Sequence, residues 1–345
     1  MRHVHVRANH RRLLVTSCSY NQVMKFGRLK VGFILVAAIA VSSCGPKELQ
    51  SEPQQNAGPA VGQMAKLADG VTKQIIQLDP THHVWVYKPA KIKGKCPLIL
   101  IGPAGTPLIY GMTVSTGDSD EHTPYARAGC IVVSYDISGP YIRGEGRLEN
   151  SVRAFSDANL GVDDAKRALT YALKSIPEVD SHRIIVVGHS SAATLALQAA
   201  LADDRIQACV AYAPVVDVEA RIGKNLTKID RTVTGFAAKA QAYSPANHIG
   251  EIHKPLFLFH ADDDDNVPTD EIRRLAKGTK TSKLVEVPKG GHYNSMIQQG
   301  IPAAIEWMKS QASSINSLPK ELGISQTQLP KSVGFGVLPT ISNLH

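Results

Sequence analysis

The run Arg183-Ile-Ile-Val-Val187 passes without a break into Gly188-His-Ser-Ser-Ala192 and then into Ala193-Thr-Leu-Ala-Leu-Gln-Ala-Ala200. The first run is β-branched and apolar, which predicts a strand buried on both faces. The last is rich in alanine and leucine, which predicts a buried helix. Only five residues are left to turn the chain between them, so the turn is tight, and small residues two before and two after Ser190 let it close. Ala192 stands where such turns often carry a second glycine, a departure the geometry tolerates. A serine at this apex projects beyond the end of its strand, and the helix starting behind it turns its positive end toward the hydroxyl, favouring negative charge there. Ser190 is therefore the candidate nucleophile. Its neighbours His189 and Ser191 read as side chains packed beside the turn.

The same alternation extends along the chain. Apolar runs at His82 to Tyr87, Pro97 to Ile101, Cys130 to Tyr135, Ala208 to Ala213, Pro255 to Phe259 and Lys283 to Val287 read as strands. Helical periodicity covers Thr123 to Ala128, Ala158 to Ser175, Ala192 to Ala202 and Ile301 to Gln311. Strands alternating with helices imply crossover connections and a mostly parallel central sheet with helices on both faces. The expected layout is a single α/β domain over 76–312, preceded by a flexible tether over 44–75 and followed by a loosely ordered tail over 313–345.

A serine hydroxyl needs a base to take its proton, and the base needs an acid to hold its tautomer. Open parallel sheets place such groups on loops after strand C-terminal ends. Two loops qualify: His260-Ala-Asp-Asp-Asp-Asp-Asn-Val-Pro268 and Pro288-Lys-Gly-Gly-His292. His292, freed by two glycines to fold over the sheet edge, is the expected base. The acid is one of Asp262, Asp263, Asp264 and Asp265, because four adjacent carboxylates cannot all be buried. A calcium loop is excluded by the absence of its alternating ligands and glycine. The order of serine, acid and histidine is that of the α/β-hydrolase fold.

These residues resemble the prolyl oligopeptidase family of serine peptidases and its dienelactone-hydrolase-like relatives. The resemblance covers roughly residues 97–311 and is carried by Gly188-His-Ser-Ser-Ala192, Tyr243-Ser-Pro245, the His260 to Pro268 run and Gly290-Gly-His292. It implies that the catalytic aspartate is Asp264, counted from His260 and back from Val267-Pro268, with Ala261 in place of the family's glycine. Large family members carry an N-terminal propeller, which the roughly 50 residues between Cys44 and the hydrolase strands are too few to form. The Pro214 to Tyr243 segment is expected to act as a small lid instead.

Negative charge developing on a substrate oxygen calls for two preorganised donors. One is the Ser191 amide. The other comes from the loop Gly102-Pro-Ala-Gly-Thr106, where Pro103 has no N–H; Ala104 is the first choice and Gly105 the second. Some family members use a tyrosine near this loop. Leu100 occupies that position here, leaving Tyr110 as a substitute. Arg143 and Arg147, on the loop after Tyr135, read as solvated or ion-paired side chains.

The formal charge of +8 suggests a nucleic-acid partner until its distribution is examined. Residues 1–30 hold seven Lys or Arg and no acid, leaving 31 basic against 30 acidic residues downstream. No basic stripe interleaved with aromatics remains, which excludes a nucleic-acid partner. The basic start belongs to an N-terminal extension plus export signal over 1–43, in which residues 1–23 precede a charged region from Met24 to Lys30 and an apolar stretch from Val31 to Val41 too short to span a membrane. Val41-Ser-Ser-Cys44 resembles the lipobox of bacterial lipoproteins. That resemblance implies a lipid anchor on Cys44 and, with Gly45 following, a place in the cell envelope, at the outer membrane facing the periplasm. Cys96, Cys130 and Cys209 show no metal-binding spacing and read as buried thiols, with one bridge compatible with an oxidising compartment.

The leading expectation is a serine hydrolase that cleaves a small ester or short peptide through an acyl-enzyme, without metal or organic cofactor. A carboxylesterase or acyltransferase with the same triad, and a non-catalytic binding lipoprotein, are the alternatives.

Overall fold

A computed structural model describes residues 61–321 except Ala68, with side chains to Gln311. The strands are β1 (Met64–Lys66), β2 (Thr72–Asp79), β3 (His82–Lys88), β4 (Cys96–Ile101), β5 (Ile131–Tyr135), β6 (Val179–His189), β7 (Ala208–Tyr212), β8 (Leu256–Ala261) and β9 (Ser282–Val287). The helices are α1 (Ser119–Arg127), α2 (Leu148–Asp157), α3 (Val162–Ser175), α4 (Ser191–Ala202), α5 (Val218–Ile222), α6 (Leu226–Thr232), α7 (Phe236–Tyr243), α8 (Thr269–Gly278) and α9 (Ile301–Glu321). One sheet runs in the order β1-β2-β3-β5-β4-β6-β7-β8-β9. β1, β2 and β3 are joined by antiparallel pairings, as is β3 to β5; every pairing from β5 through β9 is parallel. This is the α/β-hydrolase architecture expected from the alternation.

Strand periodicity sends alternate side chains to opposite faces, and here both faces are apolar. Leu98 and Leu100 of β4, Ile131 and Val133 of β5, and Leu256 and Leu258 of β8 join a core completed by α3, α4, α7 and α8. Ile99 and Ile101, Val132, and Phe257 and Phe259 enter a second core with Tyr125 of α1 and Ile301, Ala304 and Trp307 of α9. Each such fully buried side chain stabilises the fold by about 1.5–3 kcal/mol, so the central strands are rigid supports for whatever their ends carry.

The expected tether over 44–75 extends too far. Met64–Lys66 and Thr72–Asp79 are strands of the sheet, which moves the domain start back to β1. The alternation of β2 is masked by Lys73, which is buried with its ammonium 4.1 Å from the centroid of the Trp85 ring. A lysine stem packs like an apolar residue when its charge lies over an aromatic face, so the sequence reads polar where the strand is inward. The segment expected to be one helix from Ala158 starts instead after a break, with left-handed Asn159, Leu160 and Gly161 ahead of α3. The Pro214 to Tyr243 segment forms α5, α6 and α7, and Arg221 of α5 donates to the Asn266 carbonyl at 2.8 Å, fixing this segment to the acid loop. The backbone of α9 continues to Glu321, past the expected end at 312, because an established helix gains one hydrogen bond per added residue without needing an apolar face. The signal segment, Cys44 and residues 322–345 lie outside the described residues. Cys96, Cys130 and Cys209 are buried free thiols.

Candidate active site

Ser190 adopts φ 55°, ψ −121°, a left-handed conformation that costs a non-glycine residue about 1–3 kcal/mol and that the surrounding structure must impose. Its N–H donates to the Tyr212 carbonyl of β7 at 2.9 Å, and its carbonyl accepts from Ala193 at 3.0 Å to start α4. At Gly188 a Cβ would lie 2.1 Å from the Ala192 carbonyl oxygen, so only glycine lets strand and helix approach this closely. Ala192, at the second small position, is buried without disturbing the turn.

The four aspartates divide sharply. Asp264 Oδ2 lies 2.7 Å from His292 Nδ1, and its Oδ1 accepts from the amides of Asn266 and Val267 at 2.8 and 3.1 Å. Its side chain is 1% exposed. Burial alone pushes the Asp264 carboxyl up, but the hydrogen bonds from His292, Asn266 and Val267 together outweigh it and hold the group below the ordinary carboxylate range. Asp263 turns the other way and accepts from Gly290 and Gly291 at 3.1 and 2.8 Å, tying the acid loop to the histidine loop. Asp262 pairs with Arg273, and Asp265 is exposed. His260, directly below, is fully buried with its Nδ1 3.8 Å from Asp264, and desolvation lowers its pKa.

His292 is brought to the Ser190 turn through His189. The Nε2 of His189 donates to the His292 carbonyl at 3.0 Å, and the two rings lie tilted against each other with centroids 4.6 Å apart. The other ring nitrogen of His189 lies 3.7 Å from Glu121 of α1, beside the Tyr125–Tyr212 hydroxyl pair at 2.5 Å. Among the described residues Ser190 Oγ has no hydrogen bond to His292.

The loop after β4 is held by the same turn. Gly105 and Thr106 both donate their amides to Ser191 Oγ at 3.1 Å. Gly105, the second choice for the further oxyanion donor, is thus already engaged, while the Ala104 amide has no acceptor among the described residues. As the first residue of α4, Ser191 also has an N–H without an intrahelical partner. The Tyr110 and Tyr141 rings meet at a tilt of 58° with centroids 5.4 Å apart, and Arg143 and Arg147 are exposed. The supporting roles of Ser191 Oγ, Asp263, His189 and Glu121 were not read from the sequence. Each depends on partners more than 25 residues away, and no local pattern signals them. No cluster of His, Cys, Asp and Glu suited to a metal ion occurs among the described residues.

Residues 118–313 match the prolyl oligopeptidase family. The fold is similar to that of Est1E from Butyrivibrio proteoclasticus with ferulic acid bound, at 20% identity and TM-score 0.53 over 73% of this chain and 99% of that one. It is also similar to acetyl xylan esterase 1 from Thermoanaerobacterium sp. JW/SL YS485, at 17% identity and TM-score 0.52 over 71% and 86%. The acylaminoacyl peptidase of Pyrococcus horikoshii shares 17% identity at TM-score 0.54, over 72% of this chain and 41% of the peptidase. These identities speak to the shared fold. No curated protein matches the sequence.

Proposed function

Since the chain belongs to the prolyl oligopeptidase family and is a serine hydrolase acting on esters or peptides, we propose that Ser190, His292 and Asp264 are its catalytic triad. The carrying observation is the 2.7 Å contact between Asp264 and His292 Nδ1, made by a carboxylate held ionised in a buried site. Asp264 fixes the tautomer with a proton on Nδ1 and leaves Nε2 as the base. Ser190 Oγ attacks the acyl carbon while His292 takes its proton. The oxyanion is held by the Ser191 and Ala104 amides at the positive end of α4. The tetrahedral intermediate expels the alcohol or amine with the proton from His292, and water then releases the acyl group by the same steps in reverse order.

Among substrates we favour esters of apolar or aromatic acids. The loops that follow β4 and β5 carry the tilted Tyr110–Tyr141 ring pair and exposed Ile142, apolar surface suited to an apolar acyl group. Est1E, of the same fold, was seen with ferulic acid bound. A panel of p-nitrophenyl acyl esters and proline-containing peptide anilides tests this. Turnover of the esters well above the anilides is expected, with fluorophosphonate labelling of wild type. Ser190→Ala should lose labelling and about 10⁶-fold in kcat; labelling retained by Ser190→Ala would refute the nucleophile.

We also propose that Cys44 carries a lipid that places the enzyme at the cell envelope. The support is the sequence Val41-Ser-Ser-Cys44, which resembles a lipobox. Metabolic labelling with radioactive palmitate should mark the wild-type chain and not Cys44→Ala; equal labelling of both would refute the anchor.

A further inference from the structure

The proposed triad occupies the C-terminal edge of the parallel strands, and a separate hollow opens at the opposite edge. Its volume is about 480 Å³, and its wall is built from the starts of β4, β6 and β7, the residues just before β5 and β8, and the first half of α9. The strands separate it from Ser190, and none of its residues takes part in the chemistry described above.

Its chemistry is two-sided. Pro97, Ile185, Pro255, Ile305, Trp307 and Met308 contribute an apolar floor. Around it stand Lys91, Lys93, Lys95, Arg183 and Lys309, with His182, and no Asp or Glu lines the hollow. Two of these cations have acidic partners, Arg183 at its Nε with Asp180 and Lys309 with Glu306, while Glu178 pairs with Lys88 outside the hollow. Lys91 and Lys93 are exposed and have no hydrogen bond or ion pair among the described residues. Like charges gathered on the short loop before β4 repel one another, and the body of the chain is close to neutral, so this concentration is local. A hollow with an apolar floor and a cationic rim is complementary to a molecule with an anionic head and an apolar body.

We propose that this hollow is a binding site for an anionic amphiphile, a carboxylate or phosphate carried on an aliphatic chain, distinct from the hydrolytic site. The chain lies against Trp307, Ile185 and Met308, and the head meets Lys91 and Lys93. The same chemistry is offered by a free alkyl acid and by an anionic phospholipid. If a bilayer supplies it, the hollow faces the membrane and the triad opens away from it.

Trp307 lies in the wall and provides the signal; the chain's other tryptophan, Trp85, is on β3. The full chain with Cys44→Ser, so that no attached lipid contributes, is blocked at Ser190 with a fluorophosphonate and titrated below micelle concentration with dodecanoate, dodecyl phosphate and dodecanol. Saturable change in Trp307 fluorescence is expected with both anions, with dodecanol at least tenfold weaker and Trp307→Phe silent. The double variant Lys91→Glu, Lys93→Glu should bind both anions at least tenfold more weakly while hydrolysing p-nitrophenyl esters as wild type does, a check that the fold is intact. Sedimentation with phosphatidylglycerol vesicles but not phosphatidylcholine vesicles, lost in the double variant, assigns the ligand to the bilayer; anion binding without sedimentation assigns it to free acids. Equal affinity for dodecanol, unchanged affinity in the double variant, or binding by unblocked protein alone would overturn the proposal.

Discussion

In the proposed triad Ser190 and Asp264 share one imidazole, and they are held in place by different physics. Around Ser190 the chain has no room: Gly188 cannot accept a Cβ, β7 takes the Ser190 amide, and α4 begins at the next residue. The conformation is strained, and packing on both sides of β6 imposes it. Asp264 and His292 stand instead on two loops joined by hydrogen bonds, with Asp264 to His292, Asp263 to Gly290 and Gly291, and His189 to the His292 carbonyl. Steric necessity at one half of the site and polar contacts at the other imply that substitutions fail differently. In the turn they damage folding. In the loops they damage alignment and pH response.

The largest effect on the loop side is expected at Asp264. Asp264→Asn keeps the shape but lets the imidazole settle in the wrong tautomer, and kcat should fall by about 10⁴-fold with the fold intact. The variant also tests the linkage to pH. The Asp264 carboxyl is held below its unfolded value, so its stabilising contribution is fully present above the unfolded carboxylate range and is lost as pH falls through the depressed folded value. Chemical denaturation across pH should therefore show wild type more stable than Asp264→Asn at neutral pH, with the gap closing on acidification. A gap independent of pH would mean that the carboxylate is not stabilised by its partners.

On the turn side the counterpart is Gly188→Ala. The added Cβ meets the Ala192 carbonyl oxygen at 2.1 Å, an approach that only a shift of β6 or α4 relieves. Loss of more than about 4 kcal/mol is expected, read as a lower denaturation midpoint or failure to accumulate folded protein. If Gly188→Ala folds normally and loses activity alone, the turn is less constrained than its geometry implies.

The two halves also differed in how far the sequence revealed them. The turn was legible because its cause is local: a β-branched run, five small or polar residues and an alanine-rich helix are contiguous, and burial on both faces of β6 follows from their order. The parallel sheet was legible for the same reason. β2 was hidden because its inward Lys73 is made acceptable by Trp85, a partner on another strand. The four aspartates are locally indistinguishable as carboxylates, and spacing alone selected Asp264 only through resemblance to a family pattern. What separates them is tertiary. Asp264 turns under the loop to His292, Asp263 turns outward to two amides, and those partners lie 27 and 28 residues along the chain.

The finest test of the contrast is a comparison of Asp263 with Asp265. Both are acidic, both face solvent, and they flank Asp264 on either side. Asp263 accepts from the amides of Gly290 and Gly291, and these hydrogen bonds hold its carboxyl below the ordinary range; Asp265 has no hydrogen bond or ion pair among the described residues. Because Gly290 and Gly291 adopt φ of 130° and 62°, conformations open chiefly to glycine, the histidine loop depends on such external contacts to keep one shape. Asp263→Ala is expected to lower kcat/KM by about tenfold, through displacement of His292 rather than loss of a reacting group. Asp263→Asn, which keeps one acceptor, should recover part of that loss, and Asp265→Ala should leave the rate unchanged. Equal losses at Asp263 and Asp265 would point to the net charge of the acid loop, and not its tie to the histidine loop, as the property that matters.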